Sequence, residues 1–365
     1  MSTLRIQNLV KKFDSSVDAA VNDVSLDVES GQFVVLLGPS GCGKTTTLRC
    51  VAGLETPDSG DILIDSTKVN DLAPKDRDIA MVFQNYALYP HMTVYDNIAF
   101  PLKMKHESRD TIDKRVKETA RLANIEPLLR RKPRQLSGGE QQRVALARAI
   151  VRKPKVFLMD EPLSNLDAKL RLYTRTEIKR LQKDLNVTTI YVTHDQSEAM
   201  AMADKIAIMS KGKLLQYDSP VSVYNKSATT FVAGFIGSPP MNLIQTTLVE
   251  KAGGGIMLDA GEIKYDVPSE LATLLKGKTS SNELLLGVRP EDLKVTVQKE
   301  SFSVFRSEVY VVEPLGPQNV VDLKVGGAIL KAVTSPSLKL EIGQGVWAGF
   351  ESFHIFDSKS GLLLV

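Results

Sequence analysis

The spacing of apolar positions predicts that the chain opens with strands and a first helix. Val24, Leu26 and Val28 alternate with polar residues, which is typical of a strand with one buried face. Residues 33–37 are apolar throughout, as in a strand that is buried on both faces. A glycine-rich loop follows directly, and residues 45–52 are predicted to form the next helix.

The pattern from residue 88 onward predicts a charged helical stretch and then a second alternation of strands and helices. Residues 88–152 are mainly helical and charged in pattern. Alternation resumes after that, and its predicted elements are a strand at 156–159, a helix at 168–185, a strand at 189–192, a helix from Ser197 and a strand at 205–209. This order predicts a parallel sheet with flanking helices.

The pattern changes after about residue 235, where helix signals become few. Ser238-Pro239-Pro240 is predicted to be a hinge. Short apolar strands and glycine turns follow, with strands predicted at 283–288, 309–312, 320–325 and 346–350 and turns at 253–255 and 326–327. We therefore predict two domains: residues 1–235, with a helical subdomain at about 88–152, and residues 236–365, a small β-barrel-like domain.

Composition limits the possible functions only modestly. The chain has 365 residues, of which 43% are hydrophobic, and this suits two domains with proper cores. Its net charge is +3, from 46 basic and 43 acidic residues, so no nucleic-acid partner is expected. Residues 1–6 lack the layout of a signal peptide, and no apolar run approaches the length of a membrane-spanning helix. At a membrane, such a chain is expected to dock on the helices of other proteins.

Residues 38–45 fit the phosphate-loop pattern G-x-x-x-x-G-K-[ST], between a predicted strand and a predicted helix. That context disfavours a chance match. Lys44 would give a charge to the β- and γ-phosphates of ATP and Thr45 a hydroxyl to Mg²⁺. A disulfide at Cys42 would obstruct the site, so a reduced, cytosolic chain is favoured. The predicted nucleotide ligands here are Gly38, Ser40, Gly41, Cys42, Gly43, Lys44, Thr45 and Thr46.

Two acids follow the apolar strand predicted at 156–159. Asp160 is expected at the carboxyl end of a buried strand, where ligands bind in open α/β sheets, and would hold Mg²⁺ through water. Glu161 is placed to orient an attacking water or to accept its proton. The alternative is a pair of solvated turn carboxylates, which the phosphate loop elsewhere in the chain disfavours.

Two other segments have the pattern of helix starts. Ser137 precedes two glycines and Glu140, so Ser137 would cap a helix while Glu140 reaches back to it. Asp167 would similarly cap the helix predicted from Ala168. The amide-rich start of a helix also suits phosphate, so capping and nucleotide binding are compatible at residues 137–140.

Residues 136–140 (Leu-Ser-Gly-Gly-Glu), between the phosphate loop and Asp160-Glu161, resemble the ATP-binding cassette (ABC) ATPases. The resemblance implies an α/β phosphate-loop ATPase domain of the ABC type with a helical subdomain, followed by a small all-β barrel (OB-like/TOBE) regulatory domain. It implies that Ser137, Gly138, Gly139 and Glu140 complete the ATP site of a second subunit. A homodimer, or a dimer with a closely related subunit, would then close on two Mg·ATP. Gln is commonest at the fifth position, where this chain has Glu140.

The resemblance also gives roles to residues whose own signals are weak. His194 looks like the switch histidine, which hydrogen-bonds the γ-phosphate and the catalytic water. Gln84 resembles the glutamine loop, which touches Mg²⁺ and water. Phe13 stands where the family has an aromatic that stacks on adenine, with an ordinary packed Phe as the alternative. Asp167 lies in a segment that resembles the loop crossing the dimer interface.

Residues 76–98, 235–242 and 287–292 look like the maltose and multiple-sugar importer ATPases. This implies an ATP-hydrolysing importer subunit on the cytoplasmic face of the cell membrane, with two integral-membrane permease subunits and, indirectly, an extracytoplasmic solute-binding protein. Residues 86–95 would form a groove for a permease helix, with internal packing of Leu88, Tyr89, Met92 and Val94 as the alternative. Sugars are the favoured cargo. Polyamine, sulfate or iron import, a non-transport ABC ATPase and a phosphate-loop kinase remain as rivals.

Overall fold

The computed structural model describes residues 2–14, 17–252, 255–279 and 281–365. They form two compact units, one up to Val221 and one from Ser222 onward. The predicted domain limits divide the chain later, at 235/236, and that division stays a prediction. Of the two predicted glycine turns, the one at 326–327 is present, whereas Gly253 and Gly254 lie outside the described residues.

The first unit follows the predicted alternation closely, and several of its elements extend the predicted bounds by a residue. Its elements are β1 (Leu4–Lys11), β2 (Val21–Val28), β3 (Phe33–Leu37), α1 (Lys44–Ala52), β4 (Ser59–Ile64), β5 (Thr67–Lys68), β6 (Ile79–Val82), α2 (Val94–Met104), α3 (Arg109–Leu122), α4 (Gly138–Ile150), β7 (Val156–Asp160), α5 (Ala168–Leu185), β8 (Thr188–Thr193), α6 (Gln196–Met202), β9 (Lys205–Ser210) and β10 (Lys213–Asp218).

A mainly parallel sheet positions the candidate site. Within the described residues its strand order is β10-β9-β3-β8-β7-β6, and only the pairing of β10 with β9 is antiparallel. Strands β3, β7 and β8 are buried along their whole length, as predicted from the apolar runs at 33–37 and 156–159, and the burial of β8 includes its threonines. The register aligns Leu37 with Thr193 and Asp160 with Val192, so the carboxyl ends of the three strands lie side by side.

The stretch predicted as helical at 88–152 contains α2, α3 and α4, which pack around a core of their own. Val94, Ile98, Val116 and Val144 are fully buried in it. Thr93 caps α2 by accepting a hydrogen bond from the backbone N–H of Asp96. Short 3₁₀ turns and irregular backbone separate the helices, so the stretch is helical in three pieces joined by turns.

The second unit is built mainly of short antiparallel strands, as predicted, with three short helices among its described residues. Its elements are α7 (Pro220–Asn225), which begins at the boundary, α8 (Thr230–Phe235), β11 (Asn242–Glu250), β12 (Ile256–Ala260), β13 (Ile263–Val267), α9 (Ser269–Lys278), β14 (Glu283–Val288), β15 (Leu293–Thr296), β16 (Phe305–Pro314), β17 (Asn319–Val325), β18 (Ala328–Thr334), β19 (Gly345–Phe350) and β20 (His354–Asp357).

Two five-stranded sheets, counted over the described residues, enclose one apolar core in this unit. Their strand orders are β13-β12-β11-β14-β20 and β15-β19-β16-β17-β18. The buried side chain of Asn242 joins them: its Nδ2 donates to the backbone oxygen of Lys331 (2.8 Å), and its Oδ1 accepts from the backbone nitrogen of the same residue (2.8 Å). A polar link of this kind fixes the register of one sheet on the other.

Arg289, directly after β14, holds helices α7 and α8 in the second unit. Its guanidinium is buried and donates to the backbone oxygen of Tyr224 (2.7 Å), to the hydroxyl of Ser227 (3.1 Å) and to the backbone oxygen of Ile236. It also lies 4.0 Å from the centroid of the Tyr224 ring. These contacts are the physical reason why residues 222–235 belong to the second compact unit rather than to the first.

Candidate functional site

The glycine loop lies at the carboxyl end of β3 and leads into α1. Gly43 has φ = 104°, a conformation that side chains disfavour, and a Cβ there would lie 2.2 Å from the backbone oxygen of Ala20. A Cβ on Gly38 would lie 2.2 Å from the backbone oxygen of Met209. No side chain caps the start of α1, which leaves its first amides to an external anion.

Lys44 crosses the inside of this loop. The residue is 5% exposed, and its Nζ donates to the backbone oxygens of Gly38 (2.7 Å) and Pro39 (2.9 Å). Cys42 Sγ lies 3.7 Å from the same nitrogen. Among the described residues the hydrogen-bond partners of this ammonium group are neutral, and an anion such as a phosphate would add a charged partner.

Thr45 and Asp160 come together from α1 and β7. The Thr45 hydroxyl donates to Asp160 Oδ1 at 2.9 Å. Burial raises the pKa of Asp160, although the Thr45 hydrogen bond lowers it, and a bound cation would favour the charged form. A hydroxyl and a carboxylate are oxygen ligands that suit Mg²⁺, which usually completes its shell with water and substrate phosphates. No cluster of three or more His, Cys, Asp or Glu side chains that could hold a metal ion is found among the described residues.

Glu161 and His194 also meet at this edge of the sheet. Glu161 has φ = 43°, and its backbone N–H donates to the oxygen of Val192 at 3.1 Å, which continues the pairing of β7 with β8. A left-handed backbone at a non-glycine residue costs about 1–3 kcal/mol and is typical of functional sites. Glu161 Oε2 lies 3.3 Å from His194 Nδ1. The predicted base and the predicted switch histidine are therefore in direct contact.

Gln84 contacts the segment that follows Glu161 rather than the Thr45–Asp160 pair. Its Nε2 donates to Ser164 Oγ at 3.2 Å, and its backbone oxygen accepts from Asn165 Nδ2 at 2.9 Å. Ser164 Oγ in turn donates to the backbone oxygen of Glu161 at 3.0 Å. The predicted role of Gln84 at Mg²⁺ stays a prediction.

Ser137 and Glu140 form the predicted capping box at the start of α4. Glu140 Oε2 accepts from the backbone N–H of Ser137 (2.7 Å) and from its hydroxyl (3.0 Å). These hydrogen bonds, the backbone one first, hold the pKa of Glu140 below its usual value. Gly139 is buried, and a Cβ there would lie 2.8 Å from Leu170 Cδ1, so the start of α4 lies close to α5.

Comparison with known families covers both units of the chain. The family described as "ABC transporter" matches residues 21–164. The "MalK OB fold domain" matches residues 237–293, and the "TOBE domain" matches residues 286–356. A trehalose/maltose import ATP-binding protein, MalK of Thermococcus litoralis, is 50% identical to this chain over 99% of both chains. The chain belongs to the ABC transporter ATP-binding family.

Other relatives agree with this membership. The multiple sugar-binding transport ATP-binding protein MsmK of Streptococcus mutans is 47% identical over 99% of both chains. A solved dimeric, post-hydrolysis state of the ATP-binding cassette MJ0796, with bound ADP and Pi, is 33% identical with a TM-score of 0.53. It covers 60% of this chain and 98% of that one. The fold is thus an ABC-type α/β ATPase domain followed by an OB- and TOBE-type β domain.

The structure also places Phe13 and Asp167, two further residues that are predicted to belong to the ATP site. Phe13 is 37% exposed, and Lys11 Nζ lies 5.3 Å from its ring centroid, so the alternative of an ordinary core Phe is disfavoured. Asp167 caps α5 as predicted, by accepting from the backbone N–H of Leu170 at 3.0 Å. Adenine stacking by Phe13 and an interface role for Asp167 stay predictions.

The groove predicted near residues 86–95 exists, but it is lined differently. Val94 is buried, so for this residue the alternative of internal packing is correct, and Leu88 packs partly buried against the same helical core. Tyr89 is exposed, and its ring centroid lies 4.8 Å from that of Phe100 on α2. Both line a cavity of about 810 Å³, together with Arg148 of α4. Phe100 and Arg148 were missed because their sequence positions gave no signal that α2 and α4 meet here.

Arg148 fixes the backbone of this groove. Its two terminal nitrogens donate to the backbone oxygens of Ala87 (2.7 Å) and Tyr86 (2.9 Å), which both have left-handed backbone. This strained turn lies directly after Gln84, so the groove and the candidate ATP site share one segment of backbone. No helix of the described residues is long and apolar enough to cross a membrane.

Proposed function

We propose that this chain energises a membrane importer, with sugars as the cargo class, by binding and hydrolysing Mg·ATP. It is an ABC-type ATPase. The observation that carries the proposal is the meeting of three features at one sheet edge: the loop around Lys44, the Thr45–Asp160 pair and the Glu161–His194 pair. Together they provide a phosphate site, a hard-cation site and a base.

Hydrolysis follows from the charges and contacts of these residues. Amides of the glycine loop and Lys44 Nζ hold the β- and γ-phosphates in place of the carbonyl oxygens that Lys44 now contacts. Mg²⁺, when held by Thr45 and Asp160, supplies positive charge at the phosphate oxygens. Glu161 orients a water toward the γ-phosphate and accepts its proton, while His194 donates a hydrogen bond to the phosphate.

The second half of each ATP site comes from a partner chain. Ser137 is exposed at the start of α4, which lies close to α5 and its preceding loop 161–167. A helix start with open amides suits a γ-phosphate that a second subunit presents. We therefore place two Mg·ATP between two copies of this chain, or between this chain and a closely related subunit. Asp167 and its loop cross that interface, and Phe13 stacks on adenine.

The groove at Tyr89 and Phe100 is the docking site for a short cytoplasmic helix of the permease. Its aromatic and apolar lining, with Lys105, Arg148 and Arg152 among its residues, fits an amphipathic helix with acidic side chains. Two integral-membrane permease subunits would thus hold the ATPase dimer at the cytoplasmic face of the cell membrane. An extracytoplasmic solute-binding protein would deliver the cargo.

Sugar cargo is supported by the relatives. Proteins of this length and 46–50% identity are described as import proteins for trehalose/maltose, oligosaccharides and sn-glycerol 3-phosphate. The resemblance to ATPases for polyamine, sulfate or iron import gives the second candidate. The permease and binding protein, rather than this chain, would then carry the specificity.

The test is a pull-down of tagged Glu161→Gln protein from its own detergent-solubilised membranes with Mg·ATP. Recovery of two multi-span permease subunits supports the importer, whose binding protein can then be screened with sugars. Phe100→Asp in the same background is the matched control, since it should abolish recovery of the permease while the free chain still binds ATP. Recovery of only soluble or nucleic-acid-bound partners would contradict the proposal.

Glu140→Gln is expected to tighten the ATP-driven dimer two- to fivefold, equivalent to about 0.4–1 kcal/mol. Glutamine keeps an acceptor for the capping box but removes the negative charge that faces the incoming γ-phosphate. The measurement is the dimer dissociation constant by sedimentation with Mg·ATP, in a Glu161→Gln background. Glu118→Gln, the same change at an exposed position of α3, should have no effect. A weaker dimer in the Glu140→Gln variant would show that the carboxylate assists nucleotide binding.

A further inference from the structure

Arg171, in the first turn of α5, joins two loops of the ATP site. Its Nη2 donates to the backbone oxygen of Leu166, 3.1 Å away, in loop 161–167. Its Nη1 lies 3.5 Å from Oδ2 of Asp195, the residue that follows His194. Its Nε is buried without a hydrogen-bond partner among the described residues, so one donor remains for a rearranged loop. One guanidinium therefore contacts both loop 161–167 and the loop that contains His194 and Asp195, which we call the histidine loop.

Asp195 is held on its other side by α6. Its Oδ1 accepts from the backbone nitrogens of Ser197 (2.7 Å) and Glu198 (3.2 Å), which caps the helix. Burial raises the pKa of Asp195, but the hydrogen bond from the Ser197 hydroxyl (2.7 Å), the two backbone hydrogen bonds and the Arg171 charge outweigh it and hold the pKa below its ordinary value. A charged carboxylate thus connects α5 to the start of α6.

The histidine loop is also pinned to β8. Glu198 Oε2 accepts from the hydroxyls of Tyr191 (2.8 Å) and Thr193 (2.8 Å), all three of them buried. These hydrogen bonds tie the histidine loop, and His194 with it, to β8 and α6. Arg171 connects this loop to loop 161–167 in addition to the direct contact between Glu161 and His194.

We propose that Arg171 is a positioning residue that transmits the position of loop 161–167 to His194 and so couples the two ATP sites of the dimer. The inference rests on the proposed function, in which this loop crosses the dimer interface. When the partner subunit closes on the loop, Leu166 moves with it, and Arg171 carries the shift to Asp195. The planar fork of arginine suits this task, since its nitrogens bind two partners at once.

The test compares ATP hydrolysis by the full chain carrying Arg171→Met, Asp195→Asn or both. Asparagine at this position retains the helix cap and loses the charge. Each single variant is expected to lower kcat about tenfold at unchanged KM and melting temperature. Since both changes break the same contact, the double variant should be no slower than the slower single variant.

Two further variants separate coupling from general effects. Arg175→Met removes the guanidinium one turn further along α5, which donates to the backbone oxygen of Ser197 at 3.2 Å, and its kcat should stay within about twofold of wild type. Arg171→Lys should remain slow, because a single ammonium cannot bridge both partners. Full recovery by lysine would show that charge alone is sufficient and would overturn the bridging role.

The remaining outcomes are also decisive. Three outcomes would each contradict the coupling. They are a wild-type kcat in Arg171→Met, additive losses of kcat in the double variant, and a loss of activity that is accompanied by a change in KM or in melting temperature. If the wild-type chain itself hydrolysed no ATP, the proposed function would fail and the coupling with it. If the wild-type chain hydrolyses ATP and the variants do not behave as expected, this inference fails while the proposed function stands.

Discussion

Glu161→Gln is expected to hydrolyse ATP about a hundredfold to ten-thousandfold more slowly than the wild type, the range that general base catalysis contributes. Glutamine preserves the size of the side chain and the possibility of a contact with His194, but it cannot accept a proton at neutral pH. The residues that bind phosphate in the proposal, Lys44 above all, are unchanged. ATP binding is therefore retained, and the dimer is trapped in its closed state.

Three measurements check this expectation: phosphate release, the dissociation constant of a fluorescent ATP analogue, and sedimentation with Mg·ATP. Glu126→Gln is the control, because its carboxylate lies on the surface 3.1 Å from Arg121 and outside the site. It should leave all three values unchanged, as surface ion pairs contribute little. Hydrolysis near the wild-type rate in Glu161→Gln would assign the base elsewhere. Loss of ATP binding would show that Glu161 helps to bind ATP itself rather than acting only in hydrolysis.

The elements that position the site could be predicted because their patterns are unambiguous. β3 is apolar throughout, β7 is apolar up to Asp160 and β8 is apolar at its centre, and all three are buried along their whole length. The predicted bounds of α5, residues 168–185, are those of the structure because both ends carry local signals. Asp167 caps its start, and Asn186 ends it in the left-handed conformation with φ = 48°.

That the site residues lie close together could be predicted from their positions at the ends of strands. Parallel strands bring their carboxyl ends to one edge, so Asp160 and His194 were expected near the glycine loop. The structure adds what sequence could not give, namely the direct contact of Glu161 with His194 and the enclosure of Lys44 by backbone oxygens. Such contacts depend on side-chain positions that a linear pattern does not specify.

Features that depend on distant segments escaped prediction. Residues 222–235 belong to the second unit because Arg289, more than fifty positions later, binds Tyr224 and Ile236. The partly buried Arg148 gave no signal either, since charged residues are usually exposed. The orientation of Val94 was equally open, because an apolar side chain in a short segment fits both a surface groove and a core.

Lys44→Met is expected to weaken ATP binding on the order of a hundredfold, equivalent to about 3 kcal/mol, because it removes a buried charge that pairs with phosphate. The measurement is the dissociation constant of ATP by titration of the full chain with a fluorescent analogue. Lys155→Met, which breaks a surface pair with Asp65 at 2.8 Å, is the control with the same chemical change. It should bind ATP as the wild type does.

The effect on stability distinguishes the role in binding from a role in folding. Without nucleotide, Lys44 Nζ donates to the backbone oxygens of Gly38 and Pro39 and lies 3.7 Å from Cys42 Sγ. The oxygen of the exposed Pro39 regains water when the ammonium is removed, whereas the loss of the buried bond to Gly38 costs about 1–3 kcal/mol. The melting temperature without ATP should therefore fall only modestly, whereas the rise that ATP produces in the wild type should disappear. If Lys44→Met instead lowered the melting temperature strongly and kept its affinity for ATP, the lysine would be a structural support of the loop, and the assignment of the phosphate site would be wrong.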